Sequence, residues 1–209
     1  MKTKAFILVT ITFALIMSAC NSGKTSSEDT QEKKSTSIKA EDITIDTESS
    51  KILWKGEALG VYAHTGTVDF KEATITVSDG EITGGQFVAD LTTITPTDEN
   101  YNPEEGSTKE KLVGHLSSPD FFDIANYPEA SFVITEVSEQ TATGNLTIRG
   151  NTHVEKVKDI TVAQDGDTYT IKGILTFDRK KYDVSWDYPM KDRVLSKDIV
   201  LDIQLKATS

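Results

Sequence analysis

Apolar residues recur at every second position along most of the chain from residue 42 onward, and a period of two predicts strands rather than helices. Between residues 61 and 70, Tyr62, His64, Gly66, Val68 and Phe70 share one face, while Thr65, Thr67 and Asp69 point the other way. Ala142, Gly144, Leu146 and Ile148 alternate with Thr143, Asn145, Thr147 and Arg149. Tyr169, Ile171, Gly173, Leu175 and Phe177 form a third such face, and Ile199, Leu201, Ile203 and Leu205 a fourth. Further strands are predicted at 42–47, 51–56, 73–78, 81–92, 131–138, 153–163 and 182–187. Turn signals such as Ser78-Asp79-Gly80 and Gln164-Asp165-Gly166-Asp167 separate the runs. Long strands with one apolar face, joined by hairpins, describe an all-β fold. They predict an antiparallel sheet of about eight strands that closes into an extended barrel over residues 42–209.

One region departs from the period of two. Across 95–128, Leu112 and Leu116 lie four apart, with Glu104, Glu105 and Glu110 upstream, which predicts a short helix. Ser118-Pro119 reads as an N-cap followed by proline at the first helical position, with Phe121, Phe122 and Ile124 on the apolar side. One or two short helices are therefore expected over one end of the barrel.

The amino-terminal residues follow a different pattern. Lys2 and Lys4 precede an apolar run from Ala5 to about Met17, and Ser18-Ala19-Cys20 follows. A run of that length reaches only ~20 Å as a helix, short of a ~30 Å hydrocarbon core, so it reads as an export signal. The chain has one cysteine, so it has no internal disulfide. Its place directly after Ser18-Ala19 resembles the bacterial lipobox, with Met17 standing where leucine is commonest. That resemblance implies cleavage of residues 1–19 and lipid attachment to Cys20, and hence a membrane anchor. Asn21 is not the aspartate that retains enteric lipoproteins at the inner membrane, which points to the outer membrane, facing the periplasm. From Cys20 to Glu41 the chain is rich in Ser, Thr, Lys and Glu, too polar to offset its own ordering entropy. It is expected to be a flexible tether spanning roughly 25 Å.

Charge narrows the possible partners. The formal net charge is −11, and loss of the leader with Lys2 and Lys4 makes it two units more negative. No basic surface is available for nucleic acid or anionic lipid, so the acyl chains, not charge, would hold the protein to a membrane. The three histidines, His64, His115 and His153, are scattered without metal-ligand spacing. No serine stands in a nucleophile-elbow setting, and Gly84-Gly85 is not a phosphate loop, so neither an enzyme nor a cofactor is expected. Asp178, Arg179 and Asp183 read as a solvated outer charge cluster, and Arg149 as the partner of a neighbouring carboxylate.

Several motifs then occur in order. They are Trp54-Lys55-Gly56, the stretch GVYAHTGTVDF from Gly60 to Phe70, and KLVGHLSSPDFFDIANYPEASF from Lys111 to Phe132. GNLTIRG from Gly144 to Gly150 and TFDRKKYD from Thr176 to Asp183 complete the series. In these residues the chain resembles the YceI-like family of lipid-binding proteins over nearly all of 50–209. The resemblance implies a lipocalin-like antiparallel barrel that carries or stores a polyisoprenoid or similar apolar lipid in its lumen, and it suggests a homodimer. Two stretches depart from the family pattern: the acidic loop from Thr95 to Thr108, which alters the expected entrance, and Lys180-Lys181-Tyr182-Asp183.

An apolar ligand needs an apolar tube, because each buried methylene contributes ~0.8 kcal/mol. The aligned faces offer Val68, Phe70, Phe87, Phe132, Ile134, Leu146, Ile148, Leu175 and Phe177, with Tyr62, Leu116 and Phe121 toward an end. Gly66, Gly144 and Gly173 on the same faces are expected to leave space. The same residues equally describe an ordinary packed core, in which case the barrel would act through its surface as an interaction module of the cell envelope. His64 is expected to point inward, either to a ligand headgroup or to a backbone carbonyl. His115 lies near the entrance or faces solvent, and His153 is expected to be exposed.

Overall fold

A strand with one apolar face needs a second surface to cover it, and here the sheet supplies that surface by closing on itself. The computed structural model describes residues 41–78, 81–187 and 194–208. Nine strands are formed: β1 (Glu41–Thr44), β2 (Lys51–Ala58), β3 (Tyr62–Ser78), β4 (Glu81–Pro96), β5 (Glu129–Ser138), β6 (Thr141–Ile148), β7 (Asn151–Asp165), β8 (Thr168–Asp178) and β9 (Asp198–Thr208). One helix, α1 (Lys109–Ser117), and two short 3-10 turns complete the described elements. All pairings are antiparallel, in the order β3-β2-β9-β8-β7-β6-β5-β4, and β3 pairs back with β4 to close an eight-stranded barrel.

β1 and β2 together fill one position of that barrel. β1 pairs with the far half of β3 (Thr44 opposite Thr74), β2 with its near half (Ile52 opposite Val68), and both lie beside β9. The break between them is satisfied internally. The Asp46 carboxylate accepts from the backbone N–H of Glu48 and Ser49, and the fully buried Ser50 hydroxyl donates to Asp46 O and accepts from Lys206 N.

The alternation slips where the ladders carry bulges. Inward positions run Val68, Phe70 and then Ala73, Ile75, a change of parity at Lys71-Glu72 where the β3–β4 register shifts. The two runs predicted at 61–70 and 73–78 are thus one strand, bent rather than broken. Comparable shifts fall at Ile134/Glu136 in β5 and Lys158/Thr161 in β7.

One end of the barrel has short connections only, and the long connections fall at the other, beside the short β2–β3 and β6–β7 turns. The β3–β4, β5–β6 and β7–β8 turns share the first end, where the described chain also enters at Glu41. The second end carries α1 within the 97–128 connection and the segment after β8. Thr108 caps α1 by accepting from Lys111 N. Ser118 does not begin a second helix. It closes the first, donating N–H and hydroxyl to His115 O, and its own carbonyl then takes Phe121 N and Asp123 N in a turn.

The strand predicted at 182–187 is not formed. Residues 179–182 make a 3-10 turn that ends at Asp183 in the left-handed region (φ 59°). Tyr182 and Val184 are fully buried, so the alternation is real, but β8 already pairs with β7 and β9 and leaves no free edge. Two arginines secure this end. Arg179 is fully buried, not solvated, and donates to Ser196 O (2.9 Å), Val184 O (2.6 Å) and the Asp187 carboxylate (2.9 Å). Among the described residues Arg149 pairs with no carboxylate. Its guanidinium donates to Phe121 O and Asp183 O, both at 2.7 Å, tying the two long connections together.

The clamp on Arg179 has a measurable consequence. Arg179→Met keeps much of the aliphatic stem but leaves the Ser196 and Val184 carbonyls without their donor, a loss of about 3 kcal/mol. The urea midpoint should fall with the slope unchanged. An unaltered midpoint would show that the buried guanidinium is not holding this end.

Candidate functional site

The inward residues do not fill the barrel. Two cavities lie end to end inside it, an upper one of about 330 Å³ beneath α1 and a lower one of about 520 Å³ toward the tight turns. Both fall in the range of ligand pockets, roughly 300–1,000 Å³. Of the residues singled out in the sequence, Tyr62, His64, Val68, Leu116 and Phe121 line the upper chamber, as do Leu146, Ile148 and Phe177. Ile134 lines the lower one, and Phe70, Phe87 and Phe132 line both. Leu175 lines neither and is packed wall, 1% exposed.

The three glycines do not leave space as expected. A Cβ on Gly66 would stand 2.3 Å from Thr95 O and 2.5 Å from the Trp54 ring, and one on Gly144 would stand 2.6 Å from the Phe132 ring. These positions are already occupied by neighbouring aromatic rings. Gly173 does face the lower chamber, but a Cβ there would meet Val157 at 2.6 Å. Room inside the barrel comes from its circumference, not from missing side chains.

Upper-chamber residues that the alternation could not supply come from the irregular connections. α1 turns Lys111, Leu112, His115 and Leu116 toward the chamber, and Trp186 and Leu195 arrive from the segment after β8. The i, i+4 spacing of Leu112 and Leu116 was a signal for that helical face. Trp186 shares the parity of Tyr182 and Val184 in the stretch predicted as a strand at 182–187, and the chamber it reaches could not be read from that alternation.

The polar corner of the upper chamber is built around Asp98, in the acidic loop. His64 does point inward, and its partner is neither a ligand nor a backbone carbonyl. Nδ1 lies 3.0 Å from the Asp98 carboxylate, and the ring stacks on Tyr101 with centroids 5.1 Å apart. Asp98 also accepts from Thr65 N, Asn100 N and the Tyr101 hydroxyl. Burial pushes the Asp98 carboxyl up, but the hydrogen bonds from Thr65, Asn100 and His64 outweigh it and hold the group below the usual aspartate range. Burial, then the neighbouring Asp98 charge, raises the Tyr101 phenol.

His115 sits against Trp186 (4.5 Å between ring centroids) and Phe121 (5.4 Å). Among the described residues, its Nε2 is the buried side-chain polar atom without a hydrogen-bond partner. Burial lowers its pKa, with a smaller opposing effect from Asp120, so the ring is neutral near pH 7. His153 is exposed, with Nε2 2.8 Å from Lys181 O. The leader, Cys20 and the tether lie outside the described residues, apart from Glu41, which opens β1.

A family model for the YceI-like domain matches residues 43–207. In sequence, the chain is 28% identical over 139 residues to a UPF0312 protein of Staphylococcus epidermidis, a match spanning 59% of this chain and 80% of that protein. In structure it superposes on BcnA of Burkholderia cenocepacia with a TM-score of 0.62 and 22% identity, covering 78% of this chain and 99% of that one. A polyisoprenoid binding domain from Saccharophagus degradans superposes with a TM-score of 0.52 and 12% identity, covering 82% of this chain and 99% of that domain. At such identities the structural likeness establishes a common fold.

The Asp98 corner predicts a pH dependence. Its folded pKa is lowered, so its contribution to stability is complete above the unfolded pKa and disappears as pH falls through the folded one. Urea midpoints of the wild type should therefore drop on acidification through the aspartate range. In Asp98→Asn the midpoint should be lower at neutral pH and its acid-side slope shallower. Parallel pH profiles for the two proteins would contradict the assignment.

Proposed function

The chain belongs to the YceI-like domain family, and from that premise we propose that it binds a polyisoprenoid or similarly long apolar lipid inside the barrel, as a carrier or store rather than a catalyst. The observation that carries this reading is the unfilled lumen: two apolar chambers meeting end to end along the barrel, in a fold shared with a polyisoprenoid binding domain. A filled barrel working through its surface would have no use for that volume, and cavities of such size cost stability unless something occupies them. Each methylene moved from water into such a lumen adds ~0.8 kcal/mol, so a chain of several isoprene units would be held firmly without any charge contact.

The upper chamber supplies the place for a head. An apolar chain ending in an oxygen would find the neutral His115 Nε2, which has no hydrogen-bond partner among the described residues. A hydrogen bond there would orient the chain with its head beneath α1 and its tail toward the tight turns. The same chamber offers no nucleophile with an activating base, which favours binding over chemistry. On this reading Cys20 carries the acyl anchor, and the barrel is joined to it through Glu41, at the end opposite α1. The lipidated protein would then reside in the cell envelope, at the outer membrane facing the periplasm.

Three measurements test these proposals. Native mass spectrometry of protein purified from its own membranes, with organic extraction of the same sample, should find one apolar lipid per barrel; empty protein that also fails to take up an added prenyl alcohol would overturn the carrier reading. His115→Phe preserves a ring of similar size and should weaken binding of a prenyl alcohol about tenfold while sparing the matching hydrocarbon. Equal losses for both would remove His115 from head recognition. Cys20→Ala should abolish incorporation of labelled palmitate and move the protein from the detergent phase to the aqueous phase on Triton X-114 partition; unchanged partition would rule out the anchor.

A further inference from the structure

The two chambers are not one tube. Among the described residues, five side chains line both of them: Leu201, Ile52, Phe70, Phe87 and Phe132, from the consecutive strands β9, β2, β3, β4 and β5. The phenylalanines come from three neighbouring strands, and Phe87 stands directly opposite Phe132 in the β4–β5 register. Phe70 and Phe87 pack with centroids 6.3 Å apart and rings tilted by 54°. Ile52 lies beside Phe70 on the neighbouring strand β2, and Leu201 on β9 ends the arc four strand positions from Phe132; Ile52 pairs with Ile203 and Leu201 with Trp54. The result is an apolar waist midway along the lumen. All five side chains are apolar and form no hydrogen bond, so dispersion alone sets their positions, and a penetrating apolar chain replaces the dispersion that it disrupts. Beyond it, the larger chamber is walled by aliphatic residues and ends among Glu81, Glu139 and Lys172.

We propose that this waist makes the barrel selective for chain length. Resting on the reading that an apolar chain occupies the lumen head-up, the upper chamber takes the head and the first isoprene units of any prenyl ligand. A short chain ends at the phenylalanines. A long chain parts them, enters the lower chamber and gains the burial of every further methylene, each contributing about fourfold in affinity. The charged groups at the far end set the limit, because a longer apolar tail would have to pass them into water. Long prenyl chains are therefore retained over short ones by the volume beyond the waist, and the waist itself governs how fast that volume is reached.

The test compares farnesol, geranylgeraniol and solanesol as probes on the full folded protein, with affinity and association rate measured for each. Ile134→Trp and, independently, Ile82→Trp fill the lower chamber without touching the upper one. Thermal melts identify whichever variant keeps the native fold. Either should weaken solanesol at least about tenfold and leave farnesol within about twofold. Phe87→Leu should speed solanesol association by a larger factor than farnesol association, because only the long chain has to pass the waist. Equal losses for short and long chains in the filled variants, or undiminished solanesol binding, would overturn the proposal. If the wild type bound none of the three, the underlying lipid reading would fail and the waist with it. Wild-type binding with no length dependence would sink the waist alone.

Discussion

Closure of β3 onto β4 is the constraint from which the rest of the molecule follows. With that ladder made, β3 and β4 cover each other's edges and every barrel position pairs on both sides. Closure also fixes the circumference. Eight positions enclose a bore that side chains can just fill or that can hold one small ligand; this wall leaves two chambers inside it, and the backbone ladders cannot collapse to remove them. The register shifts in β3, β5 and β7 let long strands coil around that circumference without breaking. An unfilled lumen is thus a product of wall geometry, and the apolar lining is what makes it suited to lipid rather than water.

A closed wall still has two ends, and the residues that carry the family resemblance work at one of them. Arg179 from TFDRKKYD and Arg149 from GNLTIRG direct their donors at backbone carbonyls of the long connections. Asp123 from the SPDFFD stretch is buried in a left-handed turn, where its carboxylate accepts from the Asn126 amide. None of these groups contacts the lumen as a ligand would. They hold α1, Phe121 and Trp186 over the upper chamber, while other residues of the family motifs, Tyr62, His64, Leu146 and Phe177 among them, line it.

What the sequence made legible divides between wall and ends. The strands of the wall were visible because a half-buried strand repeats every two residues, and twelve of the thirteen residues named for the lumen do line a chamber. Leu175 shares their parity but lies where the wall packs against its neighbours, a distinction that depends on strand position around the barrel. The glycines misled for a related reason: a missing Cβ is filled from across the sheet, by Trp54 at Gly66 and by Phe132 at Gly144, and only the register shows this. Arg179, Arg149 and Trp186 were misread or missed because their partners are carbonyls and rings from distant connections. Asp98 was hidden among other acids in a loop, and nothing local marked it as the partner of His64.

The central claim is that an apolar chain lies inside the barrel and not on its surface. The protein has two tryptophans, Trp54 and Trp186, and both line the upper chamber. Titration with a prenyl alcohol bearing a bromine or nitroxide quencher, followed by tryptophan fluorescence, tests the location directly. Saturable quenching at one ligand per protein, reversed by excess unlabelled prenyl alcohol, is the predicted result. Bound ligand that leaves both tryptophans unquenched would place the lipid outside the lumen and contradict the account.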